Sequence, residues 1–168
     1  LFVSFSAIHN PLMGKADSID KWKNVAGSGE PENNPVIAAM LSTMDRNIGK
    51  ILDAVDESGL ASNTLIIFFS DNGGLEPEAK QTPLRHGKGW LYEGGIREPL
   101  IIKWPGVIEG GSVSHEIVSS VDFMPTVCEL LNVENKPQVD GISLLTHLKT
   151  GAPLPERNIY WHFPHYHN

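Results

Sequence analysis

Leu41, Met44, Ile48, Ile51 and Val55 recur at alternating steps of three and four, which predicts one amphipathic helix over residues 35–58. Asp45, Arg46, Asp53 and Glu57 fall off that apolar stripe. Asn34 is placed to cap the helix, with Pro35 at its first position. Gly59 is a natural stop, and Leu60 follows where it can pack back on the last turn. Other stretches are apolar without alternation. Thr64 to Phe69 predicts a strand buried on both faces, as in a parallel sheet covered by helices. Leu1 to Ile8, Pro99 to Trp104, Ile117 to Val121 and Asn158 to Phe163 predict further strands, the second of these closed by Pro105-Gly106. Asp122 is placed to cap a helix through Leu131, with Pro125 tolerated in its first turn. Strand, helix and buried strand in succession predict an α/β class.

Two stretches lack periodicity. Residues 10–34 read as a long connection rich in Gly, Pro, Asn and Lys. Residues 71–98 read as a loop holding Gly73, Gly74, Gly87, Gly89, Gly94 and Gly95. So many glycines between two apolar strands suggest close backbone approach to a ligand. The chain opens on an apolar run without an initiator Met and ends without a closing helix, so both ends read as cut from a longer protein.

Composition narrows the function classes. The 168 residues carry 13 Lys and Arg against 20 Asp and Glu, a net charge of −7, which argues against a nucleic-acid surface. With 40% hydrophobic residues the chain can build a core. No apolar run reaches the roughly 18 residues of a membrane span. Cys128 is the single cysteine, so there is no internal disulfide and no Cys-rich zinc site. It lies in an apolar helix, where a buried, inert thiol is expected.

The chemically capable residues cluster at predicted strand ends, where open α/β sheets bind ligands. His9 follows the first strand and Ser70-Asp71-Asn72 follows the second. Arg85, His86 and Lys88 occupy the glycine-rich loop, and His162 and His165 end the last strand. Asp71 and Asn72 offer hard oxygen donors suited to Ca²⁺ or Mg²⁺. The same residues with Gly73 and Gly74 also describe an ordinary turn. His9 could act as a general acid or be a solvated ring at a strand exit. Lys88 could approach an anion between Gly87 and Gly89 or be a surface lysine. Arg97 and Glu98 are expected to pair on the surface, Asp122 to be a cap, and Asp140-Gly141 to be a turn. The spacing of His162, His165 and His167 fits no standard zinc pattern.

Several motifs together resemble the sulfatase family (arylsulfatase type), a branch of the alkaline phosphatase superfamily. They are the run from Met44 to Asp53, Asn63 to Gly74, His86 to Pro99, and Trp104-Pro105-Gly106. Val121 to Thr126, Asp140 to Leu144 and Ser6 to Pro11 also match, in the correct order. The resemblance implies an alkaline-phosphatase-like sandwich with a mostly parallel central sheet covered by helices. It implies Asp71 and Asn72 as Ca²⁺ ligands, with Mg²⁺ as the substitute. It implies Lys88 on the sulfate and His9 at the bridging ester oxygen, protonating the leaving alcohol. His86 is expected at the substrate. Tyr160 to His165 resembles a segment of bacterial carbohydrate-type sulfatases, which implies His162 or His165 in the substrate pocket. A sulfated small molecule or carbohydrate would be the substrate, with no nucleic acid and no membrane span. Family members of this kind are mostly periplasmic or secreted.

The family's nucleophile is a formylglycine made from Cys or Ser in a Cys/Ser-x-Pro-x-Arg motif, and this sequence has none. Cys128 is followed by Glu129-Leu130-Leu131-Asn132, which does not fit. Residues 1–168 are thus expected to be the C-terminal portion of a sulfatase catalytic domain. The N-terminal half with the nucleophile, and most of the C-terminal subdomain, would lie outside it. Such a fragment is expected to be inactive alone. The alternatives are a phosphodiesterase or phosphonate monoester hydrolase of the same superfamily, a catalytically dead binding relative, and an unrelated α/β domain.

Overall fold

The computed structural model describes residues 1–25, 33–134 and 138–164. The chain divides into two compact units. One gathers Leu1–Ala61, Ile67–Ile101 and the chain from Trp161 onward, and the other Ser62–Ile66 and Ile102–Tyr160.

Two helices organise the first unit. Helix α1 (Ala16–Lys23) forms within the stretch expected to be irregular. Asp17 in its first turn and Lys21 and Lys23 in its last complement the helix dipole. Its Trp22 indole donates to the Ser42 hydroxyl of α2 at 3.2 Å. Helix α2 (Pro35–Glu57) matches the predicted span. The Asn34 side chain accepts from the Val36 amide at 2.9 Å, as a cap should. At the other end Gly59 takes a positive φ of 67°, and the Leu60 amide returns to the Val55 carbonyl at 3.1 Å. The Leu60 side chain nevertheless stays exposed, as does Leu41 of the predicted stripe.

Strands β1 (Ile66–Phe69) and β2 (Leu100–Lys103) pair in a two-stranded sheet. The Ser70 amide, just past β1, donates to the Pro99 carbonyl, just before β2, at 3.2 Å. The end of one strand therefore lies beside the start of the other, which is an antiparallel sense. This corrects the parallel reading of the Thr64 to Phe69 run for this pair. Every residue of β1 is half-buried and β2 alternates, with Ile101 outward, so neither strand is covered on both faces.

The strands predicted at Leu1 to Ile8, Ile117 to Val121 and Asn158 to Phe163 do not form among the described residues. Leu1, Phe2, Ile117 and Tyr160 are among the most exposed apolar residues. β-propensity marks a segment that fits a sheet, but a strand exists only where another backbone completes its ladder.

The second unit centres on one carboxylate. A 3₁₀ turn (Ser120–Asp122) runs into α4 (Phe123–Leu130), and α5 (Leu145–Thr150) follows. Asp122 is fully buried and its carboxylate makes no cap bond to α4, contrary to expectation. It accepts instead from the Ser119 amide at 2.8 Å, the Ile142 amide at 3.0 Å and both terminal nitrogens of Arg157 at 2.6 and 2.5 Å. Thr126 continues the network, donating to the Asp122 carbonyl and accepting from the Leu144 amide. Cys128, Leu144 and Leu145 are buried in the same unit. Gly141 fits the predicted turn for a steric reason: a Cβ there would overlap the Val121 carbonyl oxygen.

Candidate functional site

The residues expected to carry chemistry lie mainly in the first unit, beyond β1. The chain leaves the strand at Ser70, whose hydroxyl donates to the Asn72 carbonyl at 3.0 Å and folds the turn back on itself. Asp71 is exposed. The Asn72 side-chain nitrogen donates to the Gly73 carbonyl at 3.1 Å, which leaves its amide oxygen available. One carboxylate and one free amide oxygen on adjacent residues are a chemically suitable pair for Ca²⁺ or Mg²⁺. Ca²⁺ takes about 6–8 oxygens, so two residues make only part of a site. No group of three or more His, Cys, Asp or Glu suited to a metal occurs among the described residues.

Backbone contacts join this turn to the glycine-rich segment. The Lys88 amide donates to the Gly74 carbonyl at 2.8 Å. The Gly94 amide donates to the Arg85 carbonyl at 2.9 Å, and the Trp90 amide to Gly87 at 3.1 Å. A Cβ on Gly73 would overlap the Gly94 carbonyl oxygen, and one on Gly87 the Gly74 oxygen. One on Gly94 would overlap the His86 oxygen, and one on Gly95 those of Trp90 and Gly87. These glycines allow close backbone-on-backbone packing. The segment also contains a short helix, α3 (Glu93–Ile96), within the expected loop.

His86 sits beside Lys88 with a positive φ of 57°. Its ring stacks on Trp90 at 4.1 Å between centroids and 14° between planes. Nδ1 lies 3.5 Å from the Glu76 carboxylate, at the outer limit of a hydrogen bond. The Arg85 guanidinium lies 3.7 Å over the Tyr92 ring.

His9, His162 and His165 were also expected at the site. His9 is exposed, with Nδ1 2.9 Å from the Asn10 carbonyl oxygen. His162 is exposed, and His165 lies outside the described residues. No hydrogen bond or ion pair among the described residues joins His9 or His162 to Asp71, Asn72 or Lys88. Arg97 does not pair with Glu98 but with Glu93, one helical turn back, at 3.1 Å. Glu98 turns toward Ser70 and Asp71. Burial pushes its carboxyl above the usual range, the Ser70 hydrogen bond opposes this, and the Asp71 charge adds to it. Sequence reading missed Glu98, because its neighbour Arg97 offered an obvious partner.

A family model described as Sulfatase matches residues 1–133. A protein named sulfatase from Formosa agariphila is 32% identical over 180 residues, covering 98% of this chain and 32% of its own length. Human arylsulfatase H is 35% identical over 174 residues, covering 97% of this chain and 29% of its own length. The crystal structure of Ps i-CgsB in complex with k-i-k-neocarrahexaose matches with a TM-score of 0.77 at 32% identity, over 88% of this chain and 32% of that one. The chain thus spans about a third of the length of these relatives.

Proposed function

This chain belongs to the sulfatase family, and on that premise we propose that the whole protein is a sulfuric ester hydrolase acting on a sulfated carbohydrate. Residues 1–168 are the C-terminal portion of its catalytic domain. The observation that carries the reading is the Lys88 amide bond to the Gly74 carbonyl, which ties a cationic side chain to the Asp71-Asn72 turn. The carbohydrate class follows from the neocarrahexaose bound by one structural neighbour. The enzyme is periplasmic or secreted, as expected from the family resemblance. No helix among the described residues is long and apolar enough to cross a membrane.

Asp71 and the free amide oxygen of Asn72 hold part of the coordination shell of Ca²⁺, with Mg²⁺ as the substitute. Formylglycine from beyond this chain would supply the nucleophile, and the divalent cation would draw charge from the sulfuryl oxygens. Lys88 binds the same oxygens and offsets the negative charge that grows on them. His9 donates a proton to the departing alkoxide oxygen. His86, His162 and His165 contact the sugar. The isolated chain, without a nucleophile, turns over no substrate.

The test is hydrolysis of an aryl sulfate and a sulfated oligosaccharide by the complete protein, with Asp71→Ala and Lys88→Ala beside it. The reading expects Ca²⁺-dependent release of sulfate that Asp71→Ala abolishes. Hydrolysis of a phosphodiester in place of both sulfates would reassign the protein to phosphorus chemistry, and no hydrolysis of any ester would make it a binding relative.

A further inference from the structure

The second unit holds a serine and a histidine that sulfate ester hydrolysis does not use. Helix α5 ends at Gly151, whose φ of 71° turns the chain back, its amide bonding the His147 carbonyl at 2.8 Å. That turn brings the Ala152 carbonyl oxygen to 2.7 Å from Nδ1 of the His147 ring. On the far side of the ring, Nε2 lies 2.9 Å from the hydroxyl oxygen of Ser114, a residue 33 positions earlier in the chain.

The partners fix the tautomer. A carbonyl oxygen only accepts, so Nδ1 carries the proton of the neutral imidazole. Nε2 is then a bare acceptor, and the Ser114 hydroxyl donates to it. Ser114 Oγ in turn accepts from the Glu116 amide at 3.2 Å, which leaves it one further lone pair. Ser114 is exposed, so that lone pair is open to a reactant. A hydroxyl bonded to a histidine whose other nitrogen is held by a third group is the arrangement of an activated nucleophile. The His115 amide, next in the chain, makes no hydrogen bond among the described residues. The residue after a nucleophile commonly supplies an oxyanion donor.

We propose that Ser114 and His147 form a nucleophile–base pair that hydrolyses short-chain carboxylic esters. Ser114 Oγ attacks the ester carbonyl carbon while its proton passes to His147 Nε2. The His115 N–H donates to the oxyanion. The bond to the alcohol oxygen then breaks, the alcohol leaves with the proton from Nε2, and the acyl group stays on Oγ. Water attacks the acyl carbon, giving its proton to Nε2. The carboxylic acid departs as that proton returns to Oγ. A single neutral donor suits the one charge of a carbonyl oxyanion, whereas sulfuryl and phosphoryl oxygens call for cations. A carbonyl stands behind His147 where a carboxylate would stabilise the imidazolium better, so turnover is slow.

The experiment treats the complete protein with 4-nitrophenyl acetate and, separately, with a fluorophosphonate probe whose attachment is mapped by peptide mass spectrometry. The label is expected on Ser114. Loss of the base should slow both labelling and ester turnover by about 10²-fold or more. His147→Gln is the decisive variant, because its carboxamide can still bond the Ser114 hydroxyl but cannot take a proton. Ser114→Ala should lose the label and the ester turnover together. Wild-type protein without label on Ser114 would overturn the proposal, and so would His147→Gln labelled at the wild-type rate. Undiminished ester turnover in Ser114→Ala would trace the hydrolysis to another nucleophile and overturn it too. If Ser114→Ala does not fold, the position of the label in the unaltered protein and its rate in His147→Gln decide the matter.

Discussion

The backbone amide of Lys88 donates to the carbonyl oxygen of Gly74 at 2.8 Å. A cationic side chain and a potential metal-binding turn, on segments joined by a long glycine-rich stretch, are therefore held by main-chain atoms. Main-chain positioning costs no side-chain entropy and leaves the Lys88 ammonium free for a ligand. It also makes the placement of Lys88 sensitive to residues that carry no chemistry.

Gly87→Ala tests that sensitivity. The new methyl group would overlap the Gly74 carbonyl oxygen, so one of the two backbones must move. Misplacement of about 1 Å can cost on the order of 10²-fold in rate, and a loss of that size in kcat/KM is expected. Sulfatase assays on the folded variant decide it. Unaltered kcat/KM would mean that the contact does not position Lys88.

Lys88→Ala should lower kcat by about 10²–10³-fold and change KM much less, because its charge is needed most where charge develops. Lys88→Arg should recover only part of this, since guanidinium is a planar fork and ammonium a compact charge. A pure KM effect would relocate Lys88 to ground-state binding.

Arg157→Ala removes the cation from a carboxylate that is 0% exposed. Breaking a buried pair from one side costs about 3–5 kcal/mol, and urea unfolding should show a loss near the lower figure, as Arg157 keeps some contact with water. Arg157→Lys should remain well below wild type, because both terminal nitrogens of Arg157 are bonded to Asp122. Stability unchanged in both variants would leave the pair without energetic weight.

The same pair predicts a pH dependence. Burial alone would raise the Asp122 carboxyl, but hydrogen bonds from Arg157, Ile142 and Ser119 outweigh it and hold the group below the usual carboxylate range. A carboxyl lowered on folding contributes stability in full above its unfolded value of about 3.9. That contribution is lost as pH falls through the lower folded value. Wild-type Tm should therefore fall, as pH drops below about 4, more steeply than that of Asp122→Asn. Parallel curves for the two proteins would show that Asp122 does not govern the acid limb.

Gly49→Ala should raise stability. Gly49 lies inside α2, and a Cβ there meets nothing within 4 Å. Alanine in a helix interior is favoured over glycine by about 0.8–1.0 kcal/mol, and thermal unfolding should register a gain of that order. A lower Tm would show that the open space at Gly49 is needed.

Legibility in the sequence followed the range of the interaction. Helix α2 was readable because its stripe, Asn34 cap and Gly59 stop are all local. The turn from Ser70 to Gly74 was readable for the same reason, because its residues stand in one short motif. The predicted strand at Leu1 to Ile8 failed because a ladder depends on a second backbone that local composition does not reveal. The Asp122–Arg157 pair spans 35 residues and leaves no periodic trace. Glu98 was misassigned because adjacency in sequence favoured Arg97, whereas helical geometry gave Arg97 to Glu93.

The glycine packing has an evolutionary consequence. Gly73, Gly87, Gly94 and Gly95 fit against carbonyl groups, which every residue type possesses. The mould that holds the charged residues is therefore indifferent to the side chains between them. Leu91 and Tyr92 are outward and exposed within that mould. Such positions can exchange one side chain for another without disturbing the carbonyl contacts beneath them, so the outer face of the segment is free to change while its inner frame is not.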